Sequence, residues 1–286
     1  MACKYHVRSI SLPSRSHPST LRIEVELNRL KTREASFLST SELISGGLSG
    51  LENLHQCMDD LLSMASTQQV LSQNQHEKCI DELLDGSVRI LDICGIARDY
   101  MFQIEEHVHA LQSALRRRKG DSSIEKDILN CFRFRKEMKK QGKKLITELR
   151  QMDNKLGASP LPDLDHHFSA VIRVLREVTV MNTSIFQSLF SFLSAPVPSN
   201  RKRWSLVSKL MHKGVISCEE KQENVNEIES VDAALCKHTF DVEKMKIAHK
   251  TLVALESSIE GLENRLECVF RHLIKTRASL LNIISQ

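Results

Sequence analysis

VEKMKIAHKTLVALESSIEGLENRLECVFRHLIKTRASLLNI, residues 242–283, sets Val242, Met245, Ala248, Leu252, Leu255, Ile259, Leu262, Leu266, Val269, Leu273, Leu280 and Ile283 three or four residues apart, or at multiples of those steps. A helix turns once every 3.6 residues, so this spacing lines one face with apolar side chains and predicts a coiled-coil-like helix. Ile228, Val231 and Leu235 advance in the same way, which makes the seam nearly unbroken from residue 228. Such a face can pack within its own chain or against a second one. Other segments also carry stripes that need partners, which favours packing within the chain and leaves the oligomeric state open.

All six prolines fall in three pairs, Pro13/Pro18, Pro160/Pro162 and Pro196/Pro198. Proline inside a helix removes a hydrogen bond and clashes with the preceding turn, so each pair marks a place where no helix runs. After the first pair, Ser19 or Thr20 can cap a short helix carrying Leu21, Ile23, Leu27 and Leu30. Gly46, Gly47 and Gly50 weaken the next stretch, Leu51 to Leu62 resume a stripe, and a break falls near Ser66 and Thr67. From about His76 to Lys119 a long helix is expected, with Gly86 and Gly95 marking bends or close contacts. Gly120 stops it, and Ser122-Ser123-Ile124-Glu125 supplies a capping box for a second helix ending at Gly157. The two form an antiparallel hairpin. Past Pro162, Asp163 or Asp165 can cap a helix apolar nearly all round, which belongs at the centre of a bundle. The fold class is therefore all-α: an elongated bundle of long antiparallel helices. Residues 1–18 read as a flexible arm, and residues 19–286 as a single helical-bundle domain with a linker near 194–226. That linker holds one short helix around Trp204 to Met211.

Apolar residues at 41% and charged residues at 27% are ordinary for a soluble protein, and aromatics are scarce at 5%. Eight cysteines without a C-x-x-C pair read as free thiols in a reducing compartment, several of them on apolar stripes. The first twenty residues have Lys4, Arg8 and Arg15, many serines and no acid, a composition that suits either an organelle transit peptide or a cytosolic arm. Localisation is thus read as cytoplasmic, with a plastid or a peripheral membrane position as the alternatives. Val178 to Leu193, the most apolar stretch, carries Asn182, Thr183, Ser184 and Gln187 and falls short of the roughly 20 residues of a bilayer span.

Charge is concentrated. Residues 116–150 hold thirteen Lys/Arg against five Asp/Glu, a net of +8 that leaves 27 against 31 for the rest. Arg133, Lys136, Lys140, Lys143 and Lys144 project opposite the apolar stripe of their helix, while Arg116, Arg117, Arg118 and Lys119 follow at the end of the preceding one. This face suits an anionic membrane surface or an acidic partner, but the reading preferred from sequence is a solvated face with Arg116 to Lys119 placed at a helix C-terminus. Nucleic acid is disfavoured, because no aromatic platform is interleaved. Trp204, preceded by Arg201-Lys202-Arg203, can anchor in a membrane interface or on a partner, or fold back onto the bundle. Arg8-Ser9-Ile10-Ser11-Leu12-Pro13 fits the Arg-Ser-x-phosphoSer-x-Pro pattern bound by 14-3-3 proteins. Arg8 stands three residues before Ser11, where a basophilic kinase reads, and Ser9 is a second candidate phosphosite. Phosphate-loop, dinucleotide-binding, nucleophile-elbow and zinc-protease motifs are all missing from the sequence. His166 and His167, at a helix start after Asp163 and Asp165, have a spacing that could recruit a metal but more often caps and solvates, and the Cys268/His272 pair lacks the third and fourth ligands a metal site needs. No catalytic residue, cofactor or metal is expected.

The opening His6-Val7-Arg8-Ser9-Ile10-Ser11-Leu12-Pro13-Ser14-Arg15-Ser16-His17-Pro18 resembles the N-terminal signature of a plant family, domain of unknown function 241, which includes the BYPASS-related proteins. Gly50-Leu51-Glu52-Asn53-Leu54, Asp81 to Ser87, Leu111 to Asp121, Trp204 to Leu210 and Leu280 to Ser285 are similar too. The resemblance implies a helical regulatory protein linked with root and shoot development, without established catalytic residues. From these readings the expectation is a non-catalytic regulatory or scaffold protein acting through protein contacts, with a phospho-controlled arm. The alternative is a peripheral membrane protein held by the basic helix and Trp204.

Overall fold

The computed structural model describes residues 18–34, 40–117, 122–158, 166–195, 226–236 and 242–286. Nearly all of them lie in eight α-helices, and no strand occurs among the described residues: α1 (Pro18–Glu34), α2 (Ser41–Leu62), α3 (Ala65–Gln73), α4 (Lys78–Arg117), α5 (Ser122–Ala158), α6 (His166–Leu193), α7 (Glu227–Leu235) and α8 (Val242–Ile284). Of the expected arm only Pro18 is described, and it opens α1, where a proline is tolerated because the first helical N–H has no partner within the helix; residues 1–17, Arg118, Lys119, the Pro160/Pro162 turn and the Trp204 segment lie outside the described residues.

The terminal seam is buried from Ala248 to Ile283 and lies along α2 and α4 of the same chain. It is interrupted, however: α7 ends at Leu235 and α8 starts at Val242. Spacing in threes and fours carries across a break as easily as through a continuous helix, so periodicity alone missed the boundary. The all-round apolar helix is α6, which touches α1, α2, α3, α4 and α5 and buries Phe168, Phe186, Phe190 and Phe192 completely. Burying each such ring contributes roughly 1.5–3 kcal/mol. Buried apolar residues from all eight helices join in one core.

Three local expectations need correction. The glycines at 46, 47 and 50 do not interrupt α2, which runs through them, and the break falls at Ser63–Met64 instead of Ser66–Thr67. Gly50 is a packing residue: a Cβ there would lie 2.1 Å from Leu30 Cδ2, so its absence lets α1 close onto α2. Leu21 does not join the α1 stripe; it is 53% exposed while Ile23, Leu27 and Leu30 are buried. α4 continues through both Gly86, which meets Thr179 of α6, and Gly95, which faces open space.

Polar groups fix the helix packing at two buried joints. At the first, His55 of α2 donates through Nε2 to Asn182 Oδ1 of α6 (3.1 Å) and accepts from Thr276 Oγ1 of α8 (3.5 Å). His272 stacks on it at 6.3 Å and also meets Asp59 Oδ2 at 3.5 Å, where Lys275 Nζ approaches to 2.9 Å. Burial holds the His55 imidazole neutral, its pKa pushed down to about 4. At the second, the buried Arg135 of α5 donates to Leu193 O, to Ala195 O (3.1 Å) and to Asp232 Oδ2 of α7 (3.3 Å). One guanidinium thus caps carbonyls at the end of α6 and neutralises a buried carboxylate. Asn226 completes the joint, donating to Phe192 O (3.0 Å) while its Oδ1 accepts from Ile228 N (2.8 Å) at the start of α7.

Candidate interaction surface

α4 and α5 pack as the antiparallel hairpin expected from sequence. Arg89 of α4 pairs with Glu148 of α5, and farther along His107 packs on Phe134 with ring centroids 4.7 Å apart. On its other flank α4 meets α8, through Arg98 to Glu267 (2.7 Å), His109 to Glu256 (2.8 Å) and Gln112 to Glu256 (2.7 Å). These contacts leave one face of α4 in solvent between its two neighbours.

That face carries Asp85, Asp92, Asp99 and Glu106, all exposed and seven residues apart. Seven residues are nearly two turns, so the four carboxylates form one column with a spacing of about 10.5 Å. Val88 and Phe102 sit beside them, 38% and 58% exposed. The acidity continues onto the α8 flank, where the Glu263 pKa is raised by burial and then by the Glu105 charge. On α5, Arg133, Lys136, Lys140, Lys143 and Lys144 are exposed as the sequence predicts, and Lys126 and Arg150 extend them. They form two columns at the same interval, 126/133/140 and 136/143/150. Sequence reasoning found the basic ridge and missed the acidic one, although its heptad interval was visible in the letters.

The structure divides the predicted basic residues. Arg116 and Arg117 stand in the last turn of α4, where Arg117 Nε donates to Ser113 O (3.2 Å) and Arg116 Nε to His249 Nε2 (3.5 Å). They lie about 15 Å along the axis from Arg133 and serve the helix end more than the ridge. Arg135, counted in the same basic run, is inside. Arg8, Ser9, Ser11, Pro13, Arg118, Lys119 and Trp204 lie outside the described residues.

A groove of about 390 Å³ between α1, α5 and α6 is lined by Lys31, Asp153, Arg173, Arg176, Glu177 and Gln187 among others. Its charges are engaged across the helices: Lys31 with Glu177 (3.1 Å), Arg173 with Glu24 and Glu177, and Arg176 with Glu82 (3.4 Å). Asp153 accepts from Thr183 and Gln187, and burial raises its pKa. Among the described residues no histidine or cysteine lines the groove. Among the described residues no cluster of three metal-ligating side chains occurs, and Cys94 and Cys131 are buried with pKa values raised to about 12 by desolvation. No helix among the described residues is long and apolar enough to cross a membrane.

Fold and surface define an all-α bundle with paired, oppositely charged ridges along one hairpin. The family model described as Protein BPS1 matches residues 47–283, and the chain belongs to that family, the BYPASS-related proteins of domain of unknown function 241. Membership associates it with plant development, and the family is not a known enzyme family. No curated protein and no solved structure matches the chain. The matched residues include Gly50 to Leu54 and Asp81 to Ser87, and the latter meets α8 through Arg277 Nη1, which donates to Leu84 O (2.8 Å) and Ser87 Oγ (2.7 Å).

Proposed function

We propose that this protein is a non-catalytic regulatory scaffold of plant development that works through protein contacts on the α4/α5 face. The observation that carries the reading is the pair of ridges, Asp85 to Glu106 beside Arg133 to Lys144. A planar anionic membrane that attracted the lysines would meet the carboxylates of α4 at once and be repelled by them. A folded protein can complement both signs together. Flotation with neutral and with anionic vesicles tests this: the protein is expected in the soluble fraction in both. Recovery with anionic vesicles alone, lost in Lys136→Glu/Lys140→Glu/Lys143→Glu, would instead establish peripheral attachment, the reading supported by the basic ridge and the Trp204 sequence.

The N-terminal arm serves in this proposal as a phospho-controlled tag. Its support is the sequence Arg8 to Pro13, in which phosphorylated Ser11 would present a dianion to an arginine cluster of a 14-3-3 protein. A peptide of residues 1–18 phosphorylated at Ser11 should bind a 14-3-3 protein far more tightly than the unmodified peptide, and equal affinities would remove the arm from the mechanism.

A further inference from the structure

We infer that the α4/α5 face is a self-complementary surface on which two copies of this chain associate, the acidic ridge of each seated on the basic ridge of the other. The inference rests on the protein-contact reading and names the partner. Its basis is a match of sign, interval and level. Both ridges repeat every seven residues, about 10.5 Å. The cross-links of the hairpin, Arg89 to Glu148 and His107 to Phe134, put Glu106 level with Arg133, Asp99 level with Lys140, and Asp92 among Lys143, Lys144 and Arg150.

A twofold axis parallel to the hairpin, passing above the line between α4 and α5, lays α4 of one copy over α5 of the other and keeps every level unchanged. The same residues then meet twice, as an isologous contact requires. Glu106 of one copy faces Arg133 of the second copy, and Asp99 faces Lys140, in both halves of the contact. Within one chain the ridge charges are little used: Lys140 lies 4.0 Å from the exposed Glu137, and among the described residues no other ion pair involves Asp85, Asp92, Asp99, Glu106, Arg133, Lys136, Lys143 or Lys144. Phe102, Val88 and Leu129, the last 55% exposed, supply apolar area between the charges. Gly95, with nothing within 4 Å of a Cβ placed there, leaves room for a long cationic side chain to lie across α4.

Sedimentation velocity of the full chain tests the inference. The wild type should pass from monomer to dimer with rising concentration at low salt and return toward monomer at high salt. Reversing the acids (Asp92→Lys/Asp99→Lys/Glu106→Lys) or the bases (Arg133→Glu/Lys140→Glu/Lys143→Glu) should each weaken self-association by roughly a hundredfold or more. Mixing the two variants should restore a heterodimer, because each then offers two ridges of one sign to two of the other. Circular dichroism of each variant checks that it folds. A wild type that stays monomeric at low salt overturns the inference, as does a dimer that both reversed variants still form unaided. Neither result bears on the protein-contact reading, which vesicle flotation decides separately.

Discussion

The buried joint around Arg135 and the exposed ridge, whose Arg133 stands two residues before it, use the same residue types on the same helix to opposite ends. At the joint, one guanidinium is desolvated and donates to Leu193 O and Ala195 O at the end of α6 and to Asp232 Oδ2 of α7. On the ridge, Arg133 and Lys136 stay in water and their charge is available to something else. A step of two residues on a helix is a rotation of about 200°, enough to carry a side chain from solvent to core. Charge count along a sequence therefore says little until each residue is assigned to a face.

The sharpest way to break this comparison is at Arg135. Arg135→Met leaves Asp232 buried without its cation and should cost about 3–5 kcal/mol in urea unfolding. Arg135→Met/Asp232→Leu should recover much of that loss, since it removes the stranded charge as well. A single variant no more costly than an exposed substitution would show that the joint does not hold the bundle.

His55 gives the next largest effect, and its sign follows from burial. The folded imidazole protonates near pH 4 and the unfolded one near 6.5, so between those values the unfolded chain holds more protons. Stability from this group is complete above pH 6.5 and falls as pH drops toward 4, by up to about 3 kcal/mol. The groups around the ring are Asp59 on α2, which Lys275 pairs, His272 and the neutral Thr276 on α8, and the neutral Asn182 on α6. His55→Gln should lose this part of the acid sensitivity, read as the difference between the two unfolding profiles across that window. Profiles that stay parallel would assign the sensitivity to the carboxylates.

Smaller still is the α1 contact. Gly50→Leu should cost about 1–3 kcal/mol, with the loss of amide protection concentrated in α1, because the new side chain meets Leu30. This position also marks the limit of what could be read from sequence. The stripes of α4, α5, α6 and α8 were legible, because 3.6-residue periodicity depends only on neighbours along the chain. Gly50 read as a weak point, since its purpose is a contact 20 residues away in sequence. Arg135 and His55 were invisible for the same reason: their partners lie on three other helices. The exposed lysines of α5 were legible as a face. The carboxylate column of α4 was not read, because acids on a solvated helix draw no notice until a basic helix is found lying beside them.

The ridge should give the smallest effect on stability, and salt separates it from the joint. Each exposed reversal is expected to change unfolding by no more than about 0.5 kcal/mol. Asp92→Lys/Asp99→Lys/Glu106→Lys sets new cations beside the lysines of α5, a repulsion across roughly one Debye length at 0.1 M salt. Its deficit relative to wild type should therefore be largest at low salt and disappear as salt is added, whereas the deficit of Arg135→Met, shielded from ions by burial, should stay nearly constant. The measurement belongs at protein concentrations where the wild type is monomeric, because a dimer would add its own concentration-dependent stability. A ridge variant with a large, salt-independent deficit would mean that α4 needs its carboxylates to fold, and the charges would then belong to the bundle and not to its surface.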